Sequence, residues 1–133
     1  DLHVLNRRQL AVQGLADRTS QIYGVRCELR CKRRHFLHHD GEVAIHLYRI
    51  IQEAVTNAIR HGQATSIVIE CRETRGTMTI AITNDGAACA DNGRSEGMGL
   101  HLMRHRARLV GAEIELRQPE GGGFEVLCRF KAA

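Results

Sequence analysis

The sequence predicts an α+β fold: a two-layer α/β sandwich whose mixed, mostly antiparallel five-stranded sheet is covered on one face by three helices. Three observations carry this. Over residues 42–61, Leu47, Ile50, Ile51, Ala54, Val55 and Ala58 recur at i, i+3, i+4, i+7, i+8 and i+11, which is one buried face of a helix. Two pairs of apolar runs are joined by turn sequences, Arg75-Gly76 and "PEGGG", so each pair reads as a hairpin. The segments follow one another as helix, strand, helix, strand, strand, loop, helix, strand, strand, an order that lets the helices share one side of the sheet.

Each element has its own signal. Residues 3–20 read as a helix with Leu5, Val12, Leu15, Ala16 and Ile22 roughly on one side and Gly24 as its stop. In "VRCELRC", Val25, Cys27, Leu29 and Cys31 alternate with Arg26, Glu28 and Arg30, the pattern of a half-buried strand. "KRRHFLHHDGE" is a polar connection into the helix of residues 42–61, which stops at Gly62. Strands follow at 65–73 and 77–83. "NDGAACADNGRSEGMG" lacks periodicity, and a loop of 16 residues inside a small domain is usually functional. A helix starts near Gly99 and ends at Val110-Gly111, and strands at 112–118 and 124–130 close the chain.

The 133 residues suit one domain, 1–133, with one core. The first residues, "DLHVLNRRQL", are polar and lack an initiator Met, so no signal peptide is expected and the chain reads as a fragment of a longer protein. No apolar run approaches a membrane span, and no membrane contact by this domain is expected. The net charge of +4 favours an anionic partner, but 4% aromatic residues and no Trp leave few platforms for stacking bases, so nucleic acid is not the expected partner. The five cysteines are odd in number and form no C-x-x-C pair; buried free thiols in a reducing cytoplasm are expected.

Three polar constellations stand out. Glu53, Asn57, Arg60 and His61 are spaced i, i+4, i+7 and i+8 and form a ridge beside the apolar arc. A carboxylate and an amide one turn apart can share a hard cation such as Mg²⁺, and the two bases can reach phosphate oxygens; the plain alternative is a solvated face. Asn84-Asp85-Gly86 ends an apolar strand. It is either a turn or a carboxylate at a cavity mouth that accepts from a ligand amine, with Gly86 permitting close approach. Gly97-Met98-Gly99-Leu100 opens a helix, where N–H groups and the helix dipole favour an anion. It matches neither the P-loop nor the dinucleotide fingerprint. Cys31, His35, His38 and His39 have no common zinc spacing and read as a solvated basic loop.

Taken in order, an E-x-x-x-N helix, a hairpin ending in D-G, a long loop, G-x-G-L into a helix and a Gly-rich hairpin resemble the ATP-binding domain of bacterial sensor histidine kinases. That superfamily also holds gyrase B-subunits, 90-kDa heat-shock chaperones and mismatch-repair ATPases. "LYRIIQEAVTNAIRHG" and "GMGLHLMRHRARLVGAEIEL" look like the N box and the lid-to-helix segment of the nitrate-sensor-like subfamily.

The resemblance implies ATP and Mg²⁺ as cofactors, with Asn57 as principal metal ligand and Glu53 orienting the metal or a water. It places Arg60 and His61 on the phosphates, and Asp85 with Gly86 on the adenine amino group. Gly97, Met98, Gly99 and Leu100 would form the lid, and Gly121 to Gly123 the last glycine box. It implies γ-phosphoryl transfer to a His on an adjoining dimerisation domain and from there to a response regulator, in a cytoplasmic domain whose parent protein is open to membrane anchorage. Nothing upstream of the N box resembles that dimerising helical hairpin, so autophosphorylation of this chain alone is not expected. Ala87 and Ala88 stand where the family has x-G, and Phe124 where it has Thr. Those departures keep two alternatives open: an anti-sigma-factor-type Ser kinase of the same fold, and a regulatory module with little nucleotide binding.

Overall fold

Strand alternation in the middle of the chain sets the layers. In Thr77–Asn84 (β3) the side chains of Met78, Ile80, Ile82 and Asn84 are buried at every second position, so one face of this strand lies against the helices. The computed structural model describes residues 2–32, 41–86 and 98–131, and the side chains of 10–32, 41–86 and 99–131. It contains Leu2–Tyr23 (α1), Arg26–Arg30 (β1), Gly41–Arg60 (α2), Ser66–Thr74 (β2), β3, Met98–Leu109 (α3), Glu113–Arg117 (β4) and Phe124–Lys131 (β5). The sheet order is β1-β2-β3-β5-β4. β1 runs parallel to β2, and the other three pairings are antiparallel. This is the expected α+β architecture. Among the described residues no helix is long and apolar enough to cross a membrane.

The apolar arc of α2 is buried as its spacing predicts: Leu47, Ile50, Ile51, Ala54, Val55 and Ala58 are the buried residues of the helix. They meet Ile67 and Ile69 of β2, Ile80 and Ile82 of β3 and Val126 and Cys128 of β5 in one cluster, joined by Leu15 of α1 and Met103 of α3. Burial of a side chain of this size contributes about 1.5–3 kcal/mol. The opposite sheet face is polar. Glu115 bridges Arg117 and Arg129, Glu70 bridges Arg72, and Thr83 donates to Glu125. These groups flank the buried pair Ala81 and Leu127.

Two expectations fail. Ile22 is 69% exposed and does not belong to the buried side of α1. The cysteines are not all free: Cys31 and Cys71 form a disulfide. The parallel register pairs Arg30 with Glu70, which carries Cys31 next to Cys71 at a Cα–Cα distance of 4.8 Å. Neighbours on parallel strands can lie 40 residues apart in sequence, so spacing alone does not reveal the pair. Cys27 and Cys128 are free. Burial pushes the Cys27 thiol up to about 11, helped by the Asp17 charge, and burial alone pushes Cys128 to about 12; neither is a reactive thiolate near neutrality.

Candidate functional site

The polar ridge of α2 meets the start of α3. A Cβ placed on Gly99 would lie 2.8 Å from Glu53 Oε1 and 3.3 Å from Asn57 Nδ2. The carboxylate and the amide therefore converge on the first turn of α3, where free backbone N–H groups favour negative charge. Only a residue without a side chain fits this approach unless Glu53 moves. The contacts there are one carboxylate oxygen, Glu53 Oε1, and one amide nitrogen, Asn57 Nδ2. Among the described residues no cluster of three or more His, Cys, Asp or Glu side chains forms a self-sufficient metal cage.

Beside this point a cavity opens between α2, α3 and the sheet. Its walls are Asn57, Ala58 and His61 from α2, Ile82 and Asn84 from β3, Leu100 and Met103 from α3, and Leu116, Phe124 and Val126 from the last hairpin, closed by Ala54. Its volume is about 30 Å³, room for one or two waters and well below the ~300–1,000 Å³ of sites that enclose small ligands. A nucleobase therefore enters only if the walls part.

Three glycines set the rim. A Cβ on Gly86 would fall 2.1 Å from the Gly62 carbonyl oxygen, so the end of β3 presses directly on the chain leaving α2. Gly123, with φ of +92°, would put a Cβ 2.4 Å from the Asn84 carbonyl oxygen. Both contacts are backbone to backbone, and a side chain has nowhere to turn. Gly99 is the third.

The sequence-derived candidates are not all brought together. Glu53, Asn57, Gly99, Leu100 and His61 gather at the cavity and the α3 terminus. Arg60 is exposed and borders a separate groove of about 320 Å³ between α1 and α2, with Arg18, Tyr23 and Thr56. Gly97, Ala87, Ala88, His35, His38 and His39 lie outside the described residues, as does the Met98 side chain.

Asp85 is exposed and does not line the cavity. One of its oxygens accepts from the Thr65 N–H at 2.8 Å and the Ser66 N–H at 2.9 Å, and the other accepts from the Thr65 hydroxyl at 2.5 Å. These bonds, the Thr65 hydroxyl first, hold its carboxyl below the usual range. The cavity wall carries Asn84 instead, 7% exposed, with Oδ1 accepting the Gly86 N–H at 2.7 Å. Sequence reading passed over Asn84. The signal was present in the period of two along β3, which puts residue 84 on the face of Ile80 and Ile82 and residue 85 off it. Phe124, expected beside the last glycine box, is in register with Asn84 and is itself part of the wall.

Comparison with known proteins shows the family and the fold. The nitrate/nitrite sensor protein NarQ of Escherichia coli K12 is 36% identical over 96 residues, 71% of this chain and 17% of NarQ. The sensor histidine kinase LnrJ of Bacillus subtilis is 34% identical over 65% of this chain and 21% of its own length. The chain thus spans about a fifth or less of these relatives. Among solved structures, the ATP-binding domain of PrrB from Mycobacterium tuberculosis superposes with a TM-score of 0.71 at 20% identity, covering 92% of each chain. The blue-light activated histidine kinase of Erythrobacter litoralis EL346 gives 0.76 at 18% identity over 90% of this chain and 40% of that one; both share the fold. Residues 42–133 match the family described as histidine kinase-, DNA gyrase B-, and HSP90-like ATPase, and the chain belongs to that family.

Proposed function

We propose that this domain binds Mg-ATP at the α2–α3 cleft and, in its parent protein, presents the γ-phosphoryl to a His on an adjoining dimerisation domain, from which a response regulator receives it. The observation that carries this reading is the convergence of Glu53 and Asn57 on the first turn of α3 at Gly99, next to a cavity of mixed polarity. Asn57 and Glu53 would hold Mg²⁺, which when bound neutralises charge on the phosphate oxygens. The protein contributes position and electrostatics rather than covalent chemistry. His61 and the α3 N–H groups face the anion, and Asn84 faces the base.

The test is calorimetry of Mg-ATP binding to wild type and Asn57→Ala. Loss of the metal ligand is expected to abolish Mg²⁺-dependent binding, and unchanged affinity overturns the assignment. The small cavity and the bulk of Phe124 in its wall favour one second reading, a regulatory module with little nucleotide affinity. Mg-ATP raises the melting temperature by mass action if it binds; no shift at millimolar nucleotide selects the second reading.

A further inference from the structure

Two residues that the sequence pattern placed elsewhere meet in one groove. Ile22 follows Leu15 and Thr19 on one stripe of α1, yet those two are buried while Ile22 is 69% exposed. Arg60 extends the polar ridge of α2 but stands outside the cavity that Asn57 lines. Both border the groove between α1 and α2, about 320 Å³ in volume, which falls within the ~300–1,000 Å³ of sites that enclose small ligands.

The groove has an apolar floor and a cationic rim. Leu15 and Val55 are its buried lining, and Ile22 and Tyr23 its exposed apolar lining. Each helix contributes one guanidinium, Arg18 from α1 and Arg60 from α2, and among the described residues no Asp or Glu lines the groove. The Arg60 side chain has no hydrogen bond or ion pair among the described residues, and Arg18 makes only a long one of 3.4 Å to the Tyr48 hydroxyl. Arginines of the sheet face differ: Arg72, Arg117 and Arg129 each meet a glutamate. A guanidinium without a carboxylate, set beside uncovered apolar side chains, is completed by a molecule that brings both an anion and an apolar body.

We propose that the α1–α2 groove binds an amphipathic anion, a carboxylate carried on an unbranched chain of about ten carbons. The groove holds about ten volumes of the ~30 Å³ that one water occupies, which sets the chain length. The chain would cover Leu15 and Ile22 and take their surface out of water, and the carboxylate would accept from the guanidinium groups. A second copy of this chain is a poor occupant: a two-fold contact sets a patch against itself, here arginine against arginine, in a protein of net charge +4. The groove and the nucleotide cleft are separate, so this inference stands apart from the one above.

The test is titration calorimetry with sodium decanoate and with decyltrimethylammonium, which share a chain and differ in the sign of the head group. The proteins are wild type, the double variant Arg18→Gln with Arg60→Gln, and Ile22→Asp; all three side chains are exposed, so the fold should survive. Wild type is expected to bind decanoate saturably and decyltrimethylammonium at least about tenfold more weakly, the scale of one charge-assisted hydrogen bond. The double variant should lose that preference, and Ile22→Asp should weaken decanoate by at least about tenfold. Equal binding of the two heads by wild type, no saturable decanoate binding at millimolar concentration, or unchanged decanoate affinity in the variants overturns the proposal. Should one variant fail to fold, the wild-type preference and the other variant decide.

Discussion

Replacing Gly123 with Ala tests how closely the last hairpin approaches the end of β3. Two costs arise. The backbone at φ of +92° is one that L residues avoid, at about 1–2 kcal/mol. The new Cβ would also meet the Asn84 carbonyl oxygen at 2.4 Å, and relief of such overpacking costs typically about 1–3 kcal/mol. Gly122 provides the control: its φ is +99°, with nothing within 4 Å of a Cβ. Gly122→Ala carries only the first cost, and the difference between the variants isolates the second. At ~2.1 cal/mol/K per residue, the 133 residues give an unfolding entropy of ~0.28 kcal/mol/K. The difference of about 1–3 kcal/mol is then roughly 4–11 °C in melting temperature. Calorimetric scans of both variants, with urea midpoints as a second measure, are the assay. Equal melting temperatures for Gly122→Ala and Gly123→Ala would show that Gly123 does not rest on Asn84, and the geometry assigned to the cavity rim would fall with it.

Gly99→Ala is expected to change stability by less than about 1 kcal/mol, because the obstructing atom is the mobile end of Glu53 and Ala favours helix. Mg-ATP affinity should nevertheless drop; a stable variant with unaltered affinity refutes the role of the Glu53–α3 approach. The Cys31–Cys71 bridge closes a separation of 40 residues, a constraint of about 4 kcal/mol on the unfolded chain. Reductant should lower the wild-type melting temperature and leave Cys31→Ser unmoved, and equal sensitivity of the two proteins contradicts the pairing. The Asp85 carboxyl is held below the ordinary value of 3.8, so its contribution is complete above about pH 4 and is lost as pH falls through the folded value. Asp85→Asn should thus be destabilised at neutral pH and approach wild type in acid; a gap independent of pH refutes the contacts with Thr65 and Ser66.

The fold was legible because α2, β2 and β3 carry undiluted periods. The six apolar positions of α2 and the alternation of β2 and β3 leave no second arrangement that buries them. The polar ridge was equally legible, since Glu53 and Asn57 share a helix face by spacing alone. The disulfide was not legible, Asn84 was given no role of its own, and Arg60 borders a different groove from Asn57, each for a local physical reason. At a strand end, one position changes the face, and an acid draws attention from the neighbouring amide that points inward. Arg60, three residues past Asn57, lies on the side of α2 that borders the groove toward α1. Cys31 and Cys71 meet only through the parallel register of β1 on β2, which no local pattern encodes.

The two hairpins place the cavity on a seam. Asn57, Ala58, His61, Ile82 and Asn84 come from the α2–β2–β3 half, while Leu100, Met103, Leu116, Phe124 and Val126 come from the α3–β4–β5 half. The halves are stitched by the pairing of β3 with β5, whose strands are separated by everything from residue 85 to 123. Each hairpin forms from near neighbours, but this pairing must close a long intervening chain and so tends to come late. The cavity is thus among the last features to exist during folding, and a ligand held across the seam would fasten one half of the domain to the other.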